Sequence, residues 1–212
     1  ISWAQSKTEE NIRRFDLIYN GCEKVLSKIV QDKGLMTEVG RDANWELIEL
    51  LYNTTRFRYS LSQGDDPIEK LKTLQRLKDP LDLEGNTERA LKIRAQIENI
   101  MAVELRGLQS KETDPERQKT LLGERWKHIC NAVEIVEKNS NFPDLFLAAL
   151  FFNNKAAVGL EFNLVDAKDA RPWAQHAADF AAKNGDDHFY FAMFYGTAAK
   201  AIPEKAQEYL EK

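Results

Sequence analysis

An all-α fold of eight to nine helices, paired as antiparallel hairpins into a bundle or a short irregular solenoid, follows from three observations on the 212-residue sequence. Apolar residues recur at the i, i+3, i+4, i+7 spacing of helices that bury one face. No stretch alternates apolar and polar residues as a half-buried strand would. The breaks carry helix-ending Gly and helix-starting Asp-Pro pairs, and 10 Gly with 6 Pro are too few for a collagenous or disordered chain.

The elements follow in order. From about Thr8 to Lys33, Ile12, Phe15, Ile18, Tyr19, Cys22, Val25, Leu26, Ile29 and Val30 form one stripe expected to be buried, closed by Gly34. A second helix is predicted from near Asp42, with Trp45, Ile48, Leu51, Tyr52, Thr55 and Tyr59 on one face, until Gly64. Asp66-Pro67 reads as N-cap and N1 of a short helix carrying Ile68, Leu71, Leu74 and Leu77. Asp79-Pro80 to Gly85 reads as a break. Asn86 or Thr87 then caps a helix with Leu91, Arg94, Ile97, Met101, Leu105 and Leu108 along one side. Asp114-Pro115 opens the next, whose stripe is Leu122, Trp126, Ile129, Cys130, Val133 and Val136, ending at Asn139-Ser140-Asn141. Phe142-Pro143-Asp144 starts a helix that is apolar nearly all round through Ala156, which marks it as the central one. Three more are expected at about Asp166 to Lys183, Asp187 to Ala201, and from Pro203 onward.

A single domain over 1–212 is expected, with a change of composition inside it. Residues 139–212 hold 13 of the 21 aromatic residues but 7 of the 30 basic ones. Residues 1–138 therefore read as amphipathic helices with solvated charged faces, and 139–212 as the densest core. With 30 Lys+Arg against 34 Asp+Glu the formal charge is −4. That balance argues against a dedicated nucleic-acid binder, which needs clustered cations to displace phosphate counterions. Two cysteines cannot build a disulfide framework, so Cys22 and Cys130 are expected as buried free thiols. The most apolar run, Leu145 to Phe152, stops at Asn153-Asn154-Lys155, short of the roughly 20 residues that span a bilayer. The chain is expected to be cytoplasmic, with no membrane partner. It begins at Ile1 rather than Met, so a preceding segment is expected.

No constellation for catalysis or a cofactor emerges. The residues three before His128, His176 and His188 are Arg125, Trp173 and Gly185, so the Glu-x-x-His of a di-iron bundle is missing. No Cys-x-x-Cys or His-Glu-x-x-His offers zinc ligands, and Glu124 with His128 or His176 with Asp179 read as ordinary helix-surface neighbours. Phosphate-binding glycine loops and a Gly-x-Ser-x-Gly elbow are absent too. The aromatic block from His188 to Gly196 reads as helix burial between layers, with Ala192 and Gly196 allowing close approach. No cofactor, no metal and no enzymatic activity are expected.

What stands out is a pair of acidic turns. Ser62-Gln63-Gly64-Asp65-Asp66 and Lys183-Asn184-Gly185-Asp186-Asp187 each end a helix on Gly and begin the next with two Asp. Capping accounts for the pattern, because a carboxylate accepts from orphan N–H groups at the positive end of the helix dipole. The same turns can also rim a partner-binding surface. Asp65, Asp66, Asp186 and Asp187, with Asp166 and Asp169 as a further cluster, are the expected partner contacts.

Two resemblances bear on the partner. The segment Tyr190 to Ala201 followed by Pro203 to Lys212 resembles a tetratricopeptide-type helix pair, in which aromatic, Gly and Ala positions pack one helix on the next. Arg58-Tyr59-Ser60 with Gly64-Asp65-Asp66-Pro67-Ile68-Glu69 is similar to a helix junction in immunity proteins against PoNe-type nuclease toxins, and Phe146 to Phe152 resembles the core helix of other helical immunity families. The second resemblance implies a non-catalytic bacterial protein that occludes one toxin partner, a nuclease in the PoNe case, with an acidic surface. This is the leading expectation. The alternative is a tetratricopeptide-like adaptor holding a peptide in a concave groove. A groove lined from successive inner helices favours the adaptor, and a compact bundle without one favours the toxin inhibitor.

Overall fold

The computed structural model describes residues 9–60, 67–85, 87–139, 142–184 and 189–211. Among them the protein is all-α, with no strand. It divides into two compact units, Ile1–Asn86 and Thr87–Lys212. The composition change near residue 139 therefore lies inside the second unit.

In the first unit α1 (Glu9–Lys33) packs along α2 (Glu38–Ser60), and α3 (Pro67–Arg76) and α4 (Lys78–Leu83) pack on α2. Gly34 ends α1 at a φ of +67°, the left-handed conformation that only glycine adopts without strain. Helix α2 starts four residues before Asp42 because Thr37 supplies the cap: its Oγ1 accepts from the Gly40 N–H at 3.0 Å. The expected break at Asp79 to Gly85 contains α4. Pro80 is tolerated there because it lies in the first turn, where a missing N–H leaves no intrahelical bond unmade. Leu74, Leu77 and Leu81 are fully buried, as is Ile48 of α2. Buried Asn44 of α2 donates to the Pro80 carbonyl at 3.0 Å and to Glu84 Oε1.

The single buried stripe expected of α1 is not what forms. Tyr19 is buried, but Ile18 and Val25 are 65% and 59% exposed and Cys22 is exposed as well. The apolar residues of α1 are spread over more than the one face that α2 covers. Cys130 is half-buried rather than buried, and both thiols are free.

In the second unit α5 (Glu88–Gln109) pairs with α6 (Pro115–Glu137), α7 (Leu145–Glu161) with α8 (Ala167–Asn184), and α9 (Phe189–Ala201) with α10 (Ala206–Leu210), which follows a one-turn 3-10 helix at Pro203–Lys205. Successive hairpins stack, α6 on α7 and α8 on α9, while α7 also touches α9. Side-chain caps define the starts: Thr87 accepts from Ala90, Asp114 from Glu116 and Asp144 from Leu147. Helix α7 runs past Asn153-Asn154-Lys155 to Glu161 and closes in a Schellman turn. There Asn163 takes a φ of +53°, its N–H bonds Leu160 O, and Leu164 N–H bonds Gly159 O at 2.8 Å. Gly159 is required by the turn that follows it, since a Cβ there would meet Val165 Cγ2 at 2.5 Å, and Trp126 of α6 also comes within 3.2 Å.

The core of this unit is alanine against aromatic. Ala170, Ala174, Ala177, Ala178 and Ala181 form a fully buried seam on α8, and Phe191, Phe194 and Tyr195 of α9 pack on the same cluster. Phe146 of α7 stands edge-on to Tyr190 with ring centroids 5.6 Å apart. The aromatic block is thus buried on one side only, not between two layers as expected. Its other side is open: Met193 is 40% exposed, and nothing lies within 4 Å of a Cβ built on Gly196.

Candidate functional site

That open side of α9 forms one wall of a groove of about 320 Å³ in the second unit. Three helices present stripes to it at helical spacing. Helix α5 contributes Asn99, Ala102, Val103 and Arg106, α7 contributes Asn153, Asn154, Ala157, Val158 and Glu161, and α9 contributes Met193, Gly196, Thr197 and Lys200. Arg125 and Ile129 reach in from α6. These inner helices are the first members of consecutive hairpins, so the groove runs across the stack rather than lying inside one hairpin.

The polar groups of the groove differ in how they are satisfied. Asn154 Nδ2 donates to Asn99 Oδ1 at 2.8 Å, tying α7 to α5. Thr197 Oγ1 donates to the Met193 carbonyl one turn back at 3.1 Å, so its hydroxyl proton is already committed. Asn153 is 1% exposed, and its Oδ1 is buried with no hydrogen-bond partner. A buried amide oxygen without a donor is uncommon, and Asn44 Oδ1 of the first unit shares that state away from this groove.

Arg125 is the unusual charge. Its residue is 6% exposed, and its contacts are one long hydrogen bond to Gln109 Oε1 at 3.4 Å and the face of the Phe162 ring at 5.6 Å. Burial first, then the positive charge of Arg106, lowers its pKa, while Glu161 opposes the shift. The guanidinium remains protonated at any accessible pH. Among the described residues none of Arg106, Arg125 and Lys200 is in an ion pair. Three cations and one carboxylate line the groove of a chain whose formal charge is −4.

The residues singled out from the sequence lie elsewhere. Asp166 caps α8, its Oδ1 accepting from the Asp169 N–H at 2.8 Å, and Asp169 sits in the first turn of the same helix. Both are exposed, and neither lines the groove. Asp65, Asp66, Asp186 and Asp187 lie outside the described residues. His128 pairs with Glu98 of α5 at 2.7 Å rather than with Glu124, and Asn131 donates to the same Glu98 oxygen at 3.0 Å. Among the described residues no three His, Cys, Asp or Glu side chains are grouped to hold a metal ion, and no helix is long and apolar enough to cross a membrane. No family model, curated protein or solved structure matches the chain.

Proposed function

We infer that this protein is a non-catalytic protein-binding module and that the groove of the second unit seats an extended segment of a partner protein. One observation carries the reading: α5, α7 and α9, the leading helices of three stacked hairpins, each turn an i, i+3, i+4, i+7 stripe into a common concavity. This is how helical-hairpin scaffolds present a surface to a peptide, and it agrees with the tetratricopeptide-type resemblance of the last helix pair. Alternating amides and short apolar residues, Asn99 with Val103 and Asn153 with Ala157, suit a peptide, whose backbone needs donors and acceptors and whose side chains need apolar contact. The lining offers no Ser, Cys or His nucleophile or base. The toxin-inhibitor reading rests on acidic turns, and of its two residues within the described residues Asp166 caps α8 while Asp169 sits in the first turn of that helix.

Gly196 provides the test. A Cβ placed there meets nothing within 4 Å, so Gly196→Phe sets a ring on the groove wall from an unobstructed start. Peptides selected by the full-length wild-type chain from a short random library should lose binding to Gly196→Phe while its circular dichroism and melting temperature stay unchanged. Selected peptides that bind both proteins equally, or an empty selection, would sink the reading.

A further inference from the structure

We propose that the occupant of the groove is an acidic segment of a partner protein, with an Asp or Glu carboxylate against the Arg125 and Arg106 guanidinium groups and a main-chain N–H donating to Asn153 Oδ1. The proposal rests on the groove reading above and adds the chemistry of the guest.

Two independent observations point the same way. Arg125 carries five N–H donors, yet it is nearly fully buried with one long hydrogen bond and no ion pair among the described residues. A buried charge is strongly disfavoured unless paired and hydrogen-bonded, so the free protein holds an unmet demand for an anion. Arg106 and Lys200 deepen that demand, and Glu161 is the one acid of the lining. Asn153 Oδ1 makes the opposite demand, for a donor. Hydrogen phosphate, with its one P–OH donor, competes for the same pair of groups, which is why it serves as the competitor in the experiment below. A peptide carrying acidic side chains supplies a carboxylate and, a few ångströms away, backbone N–H groups. A carboxylate also matches the planar fork of arginine in two parallel hydrogen bonds. The sign is informative because it opposes that of the whole chain. A partner drawn to the protein at large would be basic, whereas one held in this groove must be acidic.

The experiment uses the full-length chain and the peptides selected above. The sequences should show an excess of Asp and Glu over the unselected library. Resynthesis with Asn for Asp and Gln for Glu should weaken binding by about tenfold or more, and rising salt should weaken it too. Arg106→Glu and Lys200→Glu alter exposed residues, should fold normally, and should each weaken the acidic peptides by a similar factor while sparing the amide versions. Arg125→Gln is the most direct variant, and the two exposed ones decide the matter if it misfolds. Peptides that are excluded by Gly196→Phe but show no acidic excess would overturn the charge assignment and leave the groove reading intact. An empty selection, or indifference to Gly196→Phe, removes the groove reading and this inference with it. Displacement of the acidic peptide by inorganic phosphate as effectively as by unlabelled peptide would overturn the assignment in favour of a small-anion site.

Discussion

The two units each bury an asparagine to 1% exposure, Asn44 in the first and Asn153 in the second, and use its amide nitrogen differently. Asn44 turns its amide nitrogen inward and holds both the Pro80 carbonyl and Glu84, fastening the short helix α4 to α2. Asn153 faces a groove, and although the oxygens of both amides lack a partner, only the nitrogen of Asn153 makes no hydrogen bond among the described residues. The surroundings differ to match. Around Asn44 the core is leucine-rich, with Leu74 and Leu77 fully buried, while the second unit packs alanine on aromatic rings behind the groove. A buried amide is a structural tie where its donors span two elements, and a receptor where they meet none.

Substitution should separate the two. The largest effect is expected for Asn44→Leu, which leaves the Pro80 carbonyl and the Glu84 carboxylate without their donor and should reduce stability by about 2–4 kcal/mol in urea unfolding. A neutral result would break the assignment of Asn44 as a tie. Asp144→Ala comes next. It removes the N-cap of α7, a bond from Leu147 N–H at 3.0 Å, and the pair with Lys92 at 2.8 Å, for a loss of about 1–2 kcal/mol. Burial pushes the Asp144 carboxyl up, but hydrogen bonds from Lys92 and the α7 backbone outweigh it and hold the pKa below its ordinary value. The stability it adds is present above the unfolded carboxylate pKa and is lost as pH falls through the folded one, so the wild type and variant should converge in acid.

Asn153→Leu should shift stability by about 1 kcal/mol or less, in either direction, because it replaces an unsatisfied amide with an apolar group of similar size. The same variant should lose peptide binding. A large destabilisation would place Asn153 with Asn44 and erase the contrast. The smallest effect concerns His176, whose ring lies tilted against that of Phe152 with centroids 4.5 Å apart. Burial, with a smaller push from Lys183, lowers its pKa against the pull of Asp179. A histidine with a lowered folded pKa contributes fully above its unfolded value, about 6.5, and stability falls as pH drops below that. The melting temperature should decline slightly from neutral to mildly acidic pH, and His176→Phe should flatten that decline.

The helical class was legible because periodicity and caps agreed. Asp114-Pro115 and Thr87 start α6 and α5 as their chemistry predicts. The misread boundaries had local causes. Thr37 out-competed Asp42 as a cap, and Pro80 was read as a breaker although it falls in a first turn. The groove went unread because its signal was taken for something else. Asn153-Asn154-Lys155 looked like the end of an apolar run, but it lies in mid-helix and places two amides one turn from Ala157 and Val158. Gly196 was read as a point of close approach and instead opens space. The stripe Asn99, Val103, Arg106 was visible at helical spacing, yet nothing in one helix reveals that two others will face it. Arg125 carries no sequence mark at all, since its burial is a product of tertiary packing.

The alanine seam of α8 has a thermodynamic consequence for any guest. Alanine has no rotamers to lose, so the α8 side of the interface behind α7 and α9 orders without side-chain entropy. On the protein's side the ordering penalty of association falls on the exposed Arg106 and Lys200 side chains rather than on this seam.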